Sequence, residues 1–106
     1  MTISDVSYDG NRYTVFDEDS REVNGIYASS CGELRGFGAD FLVCQDGDRY
    51  LIVNAENGNE IAGLYRSSVG EFKHANGRLI VFKNDSRLVV HEVGHSGVSE
   101  ISNRYA

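Results

Sequence analysis

The chain has 106 residues, a formal net charge of −6 and a charged fraction of 25%, the composition of one ordinary globular domain rather than a disordered segment. Acidic residues spread along the chain disfavour phosphate backbones and anionic lipid, because Lys and Arg supply most nucleic-acid affinity; neither nucleic acid nor membrane is an expected partner. No apolar run approaches the ~20 residues of a membrane span, no leader-like segment opens the sequence, and Cys31 and Cys44 are too few for a disulfide framework, so the expectation is a cytoplasmic protein with free thiols.

The predicted elements are short strands throughout, with essentially no helix. Tyr13 and Val15 alternate as a half-buried strand requires. Phe41 to Gln45 reads as a buried strand, Asp46-Gly47 as a hairpin turn, and Tyr50 to Asn54 as its return. Ile61 to Tyr65 and Gly70 to Lys73 complete a four-stranded unit, and Ala75-Asn76-Gly77 turns the chain into the next. No stretch carries a sustained i, i+3, i+4 apolar stripe with caps.

An internal repeat organises these elements. Asp9-Gly10-Asn11-Arg12-Tyr13 returns as Asp46-Gly47-Asp48-Arg49-Tyr50, 37 positions on, and more weakly as Asn84-Asp85-Ser86-Arg87-Leu88. Tyr27-Ala28-Ser29-Ser30-Cys31-Gly32-Glu33-Leu34 returns as Tyr65-Arg66-Ser67-Ser68-Val69-Gly70-Glu71-Phe72. The fold class expected is all-β: a single domain, 1–106, of three repeats at about 5–40, 41–78 and 79–106. Three full units would hold twelve strands and the sequence supplies eleven. The vacancy is to be filled by N-terminal residues or by a second chain, which makes self-association an expected property.

The run from Phe41 to Val53, followed by Asn57-Gly58-Asn59-Glu60-Ile61-Ala62-Gly63, resembles blades of quinoprotein-like or WD-like β-propellers. That resemblance implies half of a six-bladed ring completed by a second chain. The threefold organisation also resembles bulb-type β-prism lectins, whose mannose pattern falls on Ser7, Asp9, Asn11, Tyr13 and Val15 in the first unit. In the second it falls on Cys44, Asp46, Asp48, Tyr50 and Ile52, and in the third on Phe82, Asn84, Ser86, Leu88 and Val90. The pattern's Asp and Asn stand together in the first unit alone.

His91-Glu92-Val93-Gly94-His95 matches the His-Glu-x-x-His of zinc hydrolases, in which a helix brings both imidazoles to one metal and the Glu acts as general base. On a strand, residues four apart lie roughly 13 Å apart, too far for a common metal. The repeat aligns His91 with Val53 and sets His95 in a turn, so no catalytic residue and no metal or cofactor is expected. Cys31 aligns with Val69 and Cys44 with Phe82, which marks both as core fillers. The repeated Ser residues read as turn formers, and Arg12, Arg49 and Arg87 as solvated partners of Asp9, Asp46 and Asp85.

The function expected is a non-enzymatic protein-interaction module, an acidic scaffold of the immunity or inhibitor type. Its partner is a protein or a second copy. The alternatives are a lectin-like glycan binder and a zinc metallohydrolase through His91 and His95. A binding face belongs where loops break the repeat: Arg35, Phe37 and Asp40, with Lys73 and His74 opposite.

Overall fold

The computed structural model describes residues 2–105. Among the described residues eleven strands form three antiparallel sheets, none closed into a barrel. The first sheet holds β1 (Ile3–Tyr8), β2 (Arg12–Asp17) and β3 (Glu22–Tyr27) in that order. The second holds β4 (Glu33–Phe37), β5 (Phe41–Asp46), β6 (Arg49–Asn54) and β7 (Glu60–Tyr65). The third holds β8 (Glu71–Asn76), β9 (Leu79–Asn84), β10 (Arg87–Val93) and β11 (Val98–Tyr105). Every neighbouring pair is a simple antiparallel meander, the topology that two- to five-residue turns permit. Gly47 turns the second sheet's central hairpin at φ 62°, and Asp85 adopts φ 57° at the same place in the third.

The expectation of no helix is corrected at two places. Tyr27–Ser30 and Tyr65–Ser68 lead not into plain turns but into one-turn helices, α1 (Ala28–Cys31) and α2 (Arg66–Val69). The N–H of Gly32 donates to Ala28 O and that of Gly70 to Arg66 O, closing each turn. Four residues are too few to print a 3.6-residue period on the sequence, and tertiary position supports what intrinsic propensity would not. Each helix carries the chain from the last strand of one sheet to the first strand of the next.

The three sheets stack with two separate cores between them. Tyr13, Val15 and Ile26 of the first sheet meet Leu42, Cys44, Leu51 and Val53 of the second. Phe41, Val43, Tyr50 and Ile52 meet Phe72, Ile80, Phe82 and Val93 of the third. The middle sheet is therefore buried on both faces, which explains why Phe41–Cys44 and Tyr50–Val53 are apolar without alternation. In the first sheet β2 alternates, with Tyr13 and Val15 buried, whereas the third sheet buries Ile80–Phe82 and Val89–His91 as runs. Tyr50 is 1% exposed, and its hydroxyl accepts the Phe72 N–H at 2.9 Å. Tyr13 repeats the arrangement one layer earlier, accepting the Leu34 N–H at 3.0 Å and donating to Gly32 O at 3.0 Å. A buried tyrosine needs such a partner, and here it pins each sheet to the first strand of the next.

Candidate functional site

Four of the five predicted binding residues converge. Arg35 and Phe37 on β4, with Lys73 and His74 on β8, line a groove of about 540 Å³ that also reaches Thr2 and Ile3. β4 and β8 lie side by side because Gly36 admits the Phe72 ring, which a Cβ would meet at 2.8 Å. No carboxylate lines the groove, although the chain as a whole is acidic. Phe37 is half-buried against the first core and forms the groove's apolar wall. Asp40 lies elsewhere. It accepts Arg78 Nη1 at 2.7 Å, while Arg78 Nε donates to Val93 O at 2.8 Å, so it latches the second sheet to the third.

Beside this groove the first sheet ends on β1. The second and third sheets carry β4 and β8 at the position that would flank β1, and among the described residues nothing occupies it in the first. Ser4, Asp5, Ser7 and Tyr8 are exposed accordingly. Outside the sheet, Ile3 N–H donates to Ala39 O at 2.7 Å and Val6 N–H to its neighbour Asp5 Oδ1 at 2.9 Å.

The repeated arginines are not partners of the turn acids. Asp9 Oδ1 instead accepts the backbone N–H groups of Arg12 at 2.8 Å and Asn11 at 2.9 Å, bonds that hold its carboxyl below the usual range. Arg12 reaches Glu22 at 3.4 Å and Arg49 reaches Glu60 at 3.2 Å, across the sheet. Each guanidinium lies over a glycine of the neighbouring strand, Gly25 or Gly63, in the space that a Cβ would take. The motif Glu-x-x-Gly-x-Tyr supplies this clamp at 22–27 and 60–65. In β11 it becomes Glu100-x-x-Asn103-x-Tyr105. This signal is legible in the sequence once the three last strands are aligned on their tyrosines, and reading by turn motifs passes over it.

The third clamp is broken. Asn103 fills the glycine's place, and its Oδ1 accepts Arg87 Nε. The Arg87 guanidinium lies over the Tyr105 ring, 4.3 Å from its centroid. No ion pair joins Arg87 to Glu100 among the described residues. Glu100 is paired in register with His91, and both line a cavity of about 460 Å³ between the third sheet and α2. His91 is 7% exposed, its ring meets Phe82 edge-on at 5.3 Å, and its Nδ1 has no hydrogen-bond partner. Burial pushes its pKa below the usual histidine value, and the Glu100 charge opposes that shift.

His91 belongs to β10 and the exposed His95 to the bend after it, so the helix that His-Glu-x-x-His chemistry requires is not formed here. Among the described residues no group of three His, Cys, Asp or Glu is placed to hold a metal ion. Cys31 and Cys44 are free, buried thiols in the first core. Interaction between the two thiols pulls the Cys31 pKa down and, together with burial, holds Cys44 up, while Cys31 Sγ donates to Gly32 O at 3.7 Å. Of the lectin-pattern positions, Tyr13, Val15, Cys44, Tyr50, Ile52, Phe82 and Val90 are buried framework. No helix among the described residues is long and apolar enough to cross a membrane. No family model, no curated protein and no solved structure matches this chain.

Proposed function

We propose that the chain is a non-catalytic interaction module that takes up an extended, acidic segment of a partner protein as the missing strand beside β1. The observation that carries this reading is the open edge of the first sheet, at the position that β4 and β8 fill in the other two. An exposed strand edge is a template for another strand, with main-chain bonds supplying affinity and alternate side chains supplying selectivity. The two existing occupants share a pattern, Gly-Glu-Leu-Arg-Gly-Phe and Gly-Glu-Phe-Lys-His-Ala, and the incoming strand would follow it. Arg35, Lys73 and His74 in a groove free of carboxylates favour acidic residues on that segment.

Layered packing supports the propeller-blade likeness over the prism. A prism's three sheets share one central core, whereas two cores here lie on opposite faces of the middle sheet. Binding is tested by calorimetric titration with a peptide copying residues 32–38 and carrying a triglutamate tail, against a scrambled control. The expected result is saturable binding that protects the amides of β1 in hydrogen exchange and that weakens in Arg35→Glu/Lys73→Glu. Absence of binding, or binding without protection of β1, overturns the proposal. A concentration-dependent dimer that protects β1 without peptide would assign the strand to a second copy instead.

A further inference from the structure

We infer that the cavity between α2 and the last two strands is a binding site for a neutral, polyhydroxylated small molecule of the saccharide class. Three departures from the repeat gather around it. His91 stands where the second sheet has the core residue Val53, Asn103 stands where the first two sheets have Gly25 and Gly63, and Glu100 lacks the arginine partner that Glu22 and Glu60 keep. Framework needs do not explain these changes. Together they dissolve the arginine–glutamate clamp that the other copies keep and leave His91 Nδ1 buried without a partner, and all three side chains line the same space.

The chemistry of the wall selects the ligand. Asp85 and Glu100 disfavour an anion, while Arg87 disfavours a cation that would otherwise be drawn to them. Hydroxyl groups both donate and accept, and so match carboxylate acceptors standing beside amide and guanidinium donors. Arg87 commits Nε to Asn103, which leaves its remaining N–H groups available. Nδ1 of His91 is the only buried side-chain polar atom without a partner among the described residues, and such an atom calls for a ligand or a water. Tyr105 stands at the rim, 74% exposed with Arg87 over its ring, and its free surface suits the apolar face of a sugar ring. The volume, about 460 Å³, lies within the range of small-molecule sites.

The site is independent of the β1 edge, so peptide binding and glycoside binding succeed or fail separately. Backbone amide NMR of the full chain, titrated with methyl glycosides of mannose, galactose, glucose and N-acetylglucosamine, tests it, with putrescine and inorganic phosphate as charged controls. The expected result is saturable shifts for at least one glycoside, confined to Ser68–Val69, Asn84–His91 and Glu100–Tyr105, with a dissociation constant on the order of 1 mM. Asn103→Gly, which remakes the clamp, is expected to weaken binding about tenfold. Glu100→Gln, which leaves the packing intact, is expected to weaken it by a similar factor. The proposal is overturned if no glycoside saturates, if the shifts map elsewhere, if both variants bind as well as the parent, or if putrescine or phosphate takes the site in preference.

Discussion

The second and third sheets are built on one template and live in different surroundings. Tyr50 and Ile52 of β6 face the third sheet and are fully buried, whereas Leu88 and Val90, their counterparts on β10, face away from the stack with no sheet beyond them. On the opposite face, the second sheet keeps its Arg49–Glu60 clamp over Gly63, while the third exchanges it for Asn103, an unpaired Glu100 and a buried His91. Where a layer is covered on both sides, packing dictates nearly every residue. On the face of the third sheet that looks toward α2, the same backbone carries polar substitutions and a cavity. The contrast locates the places where this chain is free to acquire chemistry.

The sharpest way to break the comparison is to truncate matched positions. Ile52→Ala is expected to lower the unfolding free energy in urea by about 2–5 kcal/mol, as core truncations do. Val90→Ala, at a residue 7% exposed within its own sheet but with no second sheet packed on it, is expected to cost about 1 kcal/mol. Equal losses would mean that Val90 is packed as tightly as a residue between two sheets. Tyr50→Phe comes next. It leaves the Phe72 N–H buried without an acceptor, so a loss of about 1–3 kcal/mol is expected in the same assay. Leu88, with no hydroxyl to lose, has no counterpart effect.

A third test uses acid. Burial lowers the folded-state pKa of His91 below its ordinary value of 6.5, so the unfolded chain takes up a proton first as pH falls. His91 therefore contributes its full stability above pH 6.5, and that contribution is lost as pH drops from there toward the folded-state value, with a slope of at most about 1.4 kcal/mol per pH unit. His91→Val, which copies Val53, should flatten this descent, read as urea midpoints across pH 5–8. An unchanged descent would assign the acid sensitivity to other groups. The smallest effect concerns the clamp. Asn103→Gly is expected to change stability by less than about 1 kcal/mol, while creating an Arg87–Glu100 coupling on the order of 0.5 kcal/mol in a double-mutant cycle that the parent lacks.

Much of the architecture was legible because turns and alternation are local signals. Asp46-Gly47 and its counterparts placed the hairpins, and the recurring Arg12, Arg49 and Arg87 set the spacing of the units. The strand at Gly70 to Lys73, expected to close the second unit, instead pairs with β9 and opens the third sheet, because sheet membership depends on pairing and not on the repeat period. The partners of those arginines were not legible from turn motifs, since Asp9 spends its Oδ1 on turn amides and the true partners lie across the sheet. The one-turn helices escaped for the opposite reason, being shorter than the period by which a helix is recognised. Arg35, Phe37, Lys73 and His74 were singled out as departures from the repeat, and they do meet in one groove. Asp40 was singled out on the same ground and instead bonds Arg78, because a departure marks a change of environment without naming its cause.

By itself the sequence determined the eleven strands, their hairpins and their all-antiparallel character, for these depend on residues a few positions apart. Which faces meet was decided only in three dimensions. Stacking buried the middle sheet twice, left β1 with an open edge, and set His91, Glu100 and Asn103 around one cavity. Such outcomes depend on burial between layers distant along the chain, and no local pattern encodes them.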